Sequence, residues 1–223
     1  MELDAKTLKE VFAPVAAAAD GGIVRITVSD GNMTADAKDE ANVQYVRAVM
    51  PADTTETMLV HADPERLMNA INDLEGFTDI RVEGTWLKFR GNGSMRSLKL
   101  ISNDPAYKLP NITSEHVHTV THDFLARTVR MSDIDEAVTI KMQAGKLCLS
   151  AESELETAEY TIDIESGSYV MSMYPSKLLA KLVRTIRSDS ITMTFDTNYP
   201  LKLEWGSGDA LFTYCLAPRI EDT

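Results

Sequence analysis

The sequence is short of nearly everything that marks an enzyme or a membrane protein. Only two cysteines, Cys148 and Cys215, occur in 223 residues, which excludes a disulfide framework and suits a reducing compartment. No apolar run approaches the roughly 18 residues of a membrane span, and the opening MELDAKTLKE has no basic-then-apolar leader. The expectation is a cytoplasmic protein without a membrane partner. There is no phosphate-cradling glycine loop, no nucleophile elbow and no Cys-x-x-Cys pair. A binding protein that is not an enzyme, with no cofactor and no metal, is therefore expected. Aromatics are 7% of the chain and do not interleave with basic residues as base-stacking platforms would. Positive charge is scarce too: 22 Lys and Arg face 34 Asp and Glu, a net charge of −12. Averaged over the chain, that charge disfavours nucleic acid.

What is present is a repeat. Apolar Leu3, Leu8, Val11, Phe12 and Val15 recur at helical spacing over 3–19, and Phe124, Leu125, Val129 and Met131 do so over 122–133. Each stretch precedes a strand pattern and a tight turn, Ile23–Val28 then Asp30-Gly31, and Val138–Met142 then Ala144-Gly145. A second helix opens on proline in each half, at Pro64 and at Pro175, where the missing N–H costs nothing. Leu87-Lys88-Phe89 matches Leu201-Lys202-Leu203, and each run ends in a glycine turn, Gly91-Asn92-Gly93 and Gly206-Ser207-Gly208. The landmarks keep their order and a nearly constant offset. They predict an α+β protein of two similar domains, 1–101 and 118–223, each with two helices and an antiparallel sheet. The stretch 102–117 between them carries two prolines and no period, and reads as an extended connector. Cys148 lies in an apolar strand pattern and is expected in the core. Glu152, Glu154, Glu156 and Glu159 read as a solvated strand edge.

Resolved by element, the charge is uneven. The four helical stretches 3–19, 63–74, 122–133 and 175–187 hold nine bases and seven acids, so the acid excess lies elsewhere. Lys177, Lys181 and Arg184 at i, i+4, i+7 fall on one helix face opposite Leu178, Leu179, Leu182 and Val183. Such faces suit phosphates better than bases. The tempting alternative is a metal-dependent hydrolase built on His116, His118, His122 and Asp123, since histidines at i, i+2 on a strand point the same way. A simpler role for His122 and Asp123 is to start a helix that Thr121 caps.

The C-terminus, Tyr199–Trp205 followed by Tyr214-Cys215-Leu216-Ala217-Pro218-Arg219-Ile220-Glu221, resembles the ending of proliferating cell nuclear antigen (PCNA), the archaeal and eukaryotic DNA sliding clamp. Asp39–Val43, Phe124–Arg130 and the proline-containing connector resemble the same family in the same order. The resemblance spans the chain and is that of a divergent archaeal or archaeal-virus clamp, nucleoid-associated or in the host cytoplasm. It implies a non-enzymatic processivity factor for replication and repair. Three identical chains would form a ring around double-stranded DNA, without sequence preference, with helices lining the hole. The edge near Ser94–Ile101 would pair with one near Glu156–Ile164 of the next chain. The implied hole-lining residues are Lys6, Lys9, Arg66, Arg127, Arg130, Lys177 and Arg184, to which helix periodicity adds Lys181 and Arg187. Glu10 and Asn69 depart from the family's usual lysines. A pocket for short motifs of polymerase, clamp loader, nuclease and ligase is implied at Asn42, Val43, Tyr107, Leu109, Pro110, Ile112, Pro200, Cys215, Ala217 and Pro218. A clamp-like checkpoint subunit or a monomeric processivity subunit is the alternative within the same resemblance.

Overall fold

A computed structural model describes residues 1–54, 56–102, 109–165 and 167–220. The chain divides into two compact units, Met1–Leu109 with Gly206–Phe212, and Pro110–Trp205 with Thr213–Thr223. In chain order the first unit holds β1 (Glu2–Asp4), α1 (Ala5–Ala18), β2 (Ile23–Ser29), β3 (Asn32–Lys38), β4 (Gln44–Pro51), β5 (Met58–Ala62), α2 (Pro64–Asn72), β6 (Phe77–Glu83), β7 (Trp86–Gly91) and β8 (Ser94–Lys99). There follow β9 (Val117–Thr121), α3 (His122–Met131), β10 (Ala137–Gln143), β11 (Lys146–Glu152), β12 (Thr157–Asp163), β13 (Val170–Pro175), α4 (Ser176–Val183), β14 (Ser190–Thr194), β15 (Leu201–Ser207) and β16 (Ala210–Leu216).

The order is strand, helix, three strands, repeated four times. The sequence shows only the twofold repeat, because within each unit the two modules exchange their first strands. β1 pairs with β6 and β5 with β2, giving sheets β1-β6-β7-β8 and β5-β2-β3-β4. In the same way β9 pairs with β14 and β13 with β10, giving β12-β11-β10-β13 and a sheet that runs from β9 through β14 and β15 to β16. The turns at Asp30-Gly31 and Ala144-Gly145 occupy matching positions with all four residues at positive φ, between 51° and 78°. That geometry suits the twist of a two-residue hairpin.

Each unit buries one face of its helices against its sheets. Leu8, Phe12, Val15, Leu67 and Ile71 fill the first core with Val24, Ile26, Leu87 and Phe89. Phe124, Leu125, Leu179 and Leu182 fill the second with Val138, Ile140, Ile191 and Leu203. Several sequence expectations shift by a turn. Leu3 belongs to β1, opposite Thr78, and α1 starts after Asp4, whose carboxylate accepts from the N–H groups of Lys6 and Thr7 at 3.0 and 3.2 Å. Asp63 caps α2 ahead of Pro64, and Thr121 caps α3 by accepting from Phe124 N–H at 3.2 Å. Pro175 is the N-cap of α4 rather than its first residue, and α4 ends at Val183 with Arg184 as C-cap. Arg187 lies beyond the helix. Cys148 is half-buried on the face of β11 opposite Leu147 and Leu149, so it is not a core residue.

Candidate nucleic-acid interface

Amphipathic α4 turns Leu179, Ala180, Leu182 and Val183 inward, which leaves Lys177, Lys181 and the cap residue Arg184 exposed. It packs beside α3, whose Phe124, Leu125, Thr128 and Met131 are buried and whose Arg130 is exposed. The adjoining outer faces of this helix pair are therefore basic. Arg187 is exposed just downstream.

Among the remaining candidate bases, Lys9, Arg127 and Lys6 make contacts within the chain. The Lys9 ammonium donates to the Leu74 carbonyl at 3.0 Å, just past the end of α2. Arg127 is half-buried, with its guanidinium 4.9 Å from the ring centre of Tyr160 on β12. Stacking of this kind holds a guanidinium in place without neutralising it. Lys6 stands 3.8 Å from Glu10 one turn on, an exposed pair worth little in water. Arg66 on α2 is exposed beside Glu65. The contacts of Lys9 and Arg127 join residues far apart in the chain and leave no local signal in the sequence.

The positions that the resemblance implies for peptide binding fall in both units. In the first, Asn42 is exposed at φ 57°, while Val43 and Leu109 are half-buried. Tyr107 lies outside the described residues. In the second, Pro110 is exposed and Ile112 is buried, while Ser114 Oγ just beyond donates to the Phe195 carbonyl at 3.1 Å. Pro200 precedes β15 and Ala217-Pro218 follow β16, so all three half-buried residues sit at the open end of one hairpin. Arg219 N–H donates to the Met173 carbonyl at 2.8 Å, which ties the segment after β16 to β13. Cys215 is buried within β16, and burial pushes its thiol up to about 12.

The histidine cluster does not assemble. His122 heads α3 with its Nε2 3.2 Å from the Val183 carbonyl oxygen. His118 faces Phe195, with ring centres 6.4 Å apart, and its buried Nε2 has no hydrogen-bond partner among the described residues. Burial first, and then the neighbouring His116, hold the His118 imidazole below its usual range. Among the described residues no group of three or more His, Cys, Asp or Glu could hold a metal ion. The hydrolase alternative thus loses its centre. No helix among the described residues is long and apolar enough to cross a membrane.

A scan of protein-family models gives no match, and neither does a search of curated proteins. Solved structures do match. PCNA of Archaeoglobus fulgidus, solved with the C-terminal region of FEN-1, superposes with a TM-score of 0.84 at 20% identity, covering 100% of this chain and 98% of that one. PCNA of Thermococcus kodakaraensis gives 0.83 at 18% identity, covering 98% and 99%. PCNA of Entamoeba histolytica gives 0.84 at 16% identity, covering 98% of each. From end to end, the chain has the two-unit α+β fold of the PCNA sliding clamps.

Proposed function

We propose that the chain is a DNA sliding clamp, a non-enzymatic tether that holds replication and repair enzymes on duplex DNA. The observation that carries this reading is the set of basic helix faces on a strongly acidic chain that has the PCNA fold. Domains 1–101 and 118–223, joined by the connector 102–117, would be its two clamp modules. The acidic remainder repels duplex, leaving the helix faces as the favourable contact.

Three copies join head to tail through strands that end their sheets. β8 carries Arg96 and Lys99 and no acid, while β12 carries Glu159 and Asp163 and no base. Pairing these edges between copies would satisfy their backbone groups and bring opposite charges together. Such a heterologous contact yields a ring when its rotation closes. The PCNA2–PCNA3 complex of Sulfolobus tokodaii, matched at a TM-score of 0.79 and 17% identity, supports association between clamp chains. The FEN-1 segment bound to the A. fulgidus protein supports docking of short partner motifs. In this chain we assign that role in the second unit to the hairpin end at Pro200, Ala217 and Pro218, with buried Cys215 beneath.

The reading is tested by threading. Protein incubated with a linear duplex that has one free end, then trapped by blocking that end, should survive a high-salt wash and be released when the duplex is cut. Release by salt regardless of the blocked ends would exclude encirclement.

A further inference from the structure

The two helix pairs carry opposite charge, and this deepens the clamp reading, on which it rests. Counted with its two cap residues, α1 is neutral: Lys6 and Lys9 are balanced by the N-cap Asp4 and by Glu10. Counted in the same way, α2 is acidic, since Arg66 is outnumbered by Glu65 and by the two caps, Asp63 and Asp73. The first helix pair therefore sums to −2. On α3, Arg127 and Arg130 outweigh Asp123, and the caps Thr121 and Ser132 are uncharged. On α4 and its caps, Lys177, Lys181 and the C-cap Arg184 are the charged residues, and no Asp or Glu lies in that segment. The second pair sums to +4.

Geometry widens the difference. One of the three bases in the first pair, Lys9, spends its ammonium on the Leu74 carbonyl. Another, Lys6, has Glu10 alongside at 3.8 Å. The caps Asp4 and Asp63 are fixed in place, because their carboxylates hold the first backbone N–H groups of α1 and α2. In the second pair Arg130, Lys177, Lys181 and Arg184 are all exposed. Attraction to phosphate depends on the local sum of charge within about a Debye length, roughly 8–10 Å at physiological salt. Arg96 on β8 stands 2.5 Å from Asp73 and offsets it, which brings the first pair closer to neutral, while the second pair keeps a net positive sum.

We propose that the second unit alone supplies the contacts to duplex phosphates, so that a ring of three chains holds DNA at three basic sectors rather than six. The first unit contributes to closure of the ring and not to its hold on DNA.

The test compares two sets of variants of the full-length protein on a fluorescently labelled linear duplex of random sequence, with affinity measured across a salt series. The triple variant Lys177→Ala, Lys181→Ala, Arg184→Ala should lose about tenfold or more in affinity at low salt. Its log–log salt slope should flatten by about 0.9 for each phosphate that the protein no longer neutralises. The pair Lys6→Ala, Arg66→Ala should change affinity less than about threefold and leave the slope as in the parent. Native mass spectrometry on the same samples shows whether each variant keeps the parent's assembly. Equal losses in the two sets, or a larger loss in the first unit, would overturn the asymmetry while leaving the clamp reading intact. A parent protein that neither binds nor threads onto duplex would overturn both.

Discussion

Replacing Asp36 should destabilise the first unit by about 3 kcal/mol, through a cluster on the face of its sheet away from the helices. Asp36 on β3 stands directly opposite Arg47 on β4 and is 3% exposed. One carboxylate oxygen accepts both the Tyr45 hydroxyl and the Arg47 Nε–H, the latter at 2.6 Å. Burial, followed by the Asp36 carboxylate, pushes the Tyr45 phenol far above its usual range, so it stays a donor. In Asp36→Ala the buried Tyr45 hydroxyl loses its acceptor, at about 1–3 kcal/mol. The Arg47 guanidinium loses a charge-assisted bond of similar size, but its side chain is 31% exposed and water recovers part of that. About 1 kcal/mol remains for it, giving the total of about 3. Asp36→Asn keeps an acceptor for Tyr45 and should lose roughly half as much. Urea unfolding at one fixed protein concentration reads both, since assembly would otherwise shift the midpoint. A cycle with Tyr45→Phe should be clearly non-additive. Losses below about 0.5 kcal/mol for Asp36→Ala, or strict additivity with Tyr45→Phe, would refute the reasoning.

Two titrations follow from the same physics. The Cys215 thiol is raised to about 12 in the folded chain, so its contribution is complete below the ordinary thiol value and is lost as pH rises toward 12. Stability should fall by roughly 2–3 kcal/mol between about pH 8.5 and pH 10.5, and Cys215→Ala should flatten that limb in a pH series of urea midpoints. An unchanged alkaline limb would mean that Cys215 is not buried. His118 is displaced in the other direction, so its contribution is present above about pH 6.5 and disappears as pH falls. His118→Gln should lessen the acid sensitivity below that value, whereas added zinc should leave the parent's melting temperature unmoved. A stoichiometric zinc-dependent rise would restore the metal reading.

The parts of this fold that can be read from the chain are those encoded locally. Thr121 is identifiable as a cap because a small hydroxyl precedes a helical apolar stripe, and the basic face of α4 because Lys177, Lys181 and Arg184 keep helical spacing. What escapes depends on partners distant in sequence. The fourfold module is hidden because β1 and β5 pair outside their own modules. The apolar neighbours of Cys148 point to a core residue, yet strand alternation sends it to the face opposite Leu147 and Leu149. Lys9 and Arg127 look like surface bases until Leu74 and Tyr160 are brought against them. The same holds for the charge. A net −12 argues against DNA, while the placement of Asp4, Asp63 and Asp73 at the ends of α1 and α2, against the acid-free α4, separates the charge of the two helix pairs.

The central claim, a closed ring of identical chains, is tested most directly by native mass at micromolar concentration across a salt series. Three chains of 24.7 kDa predict a single species of about 74 kDa at low and moderate salt. A stable monomer throughout the series would contradict the ring and, with it, the clamp.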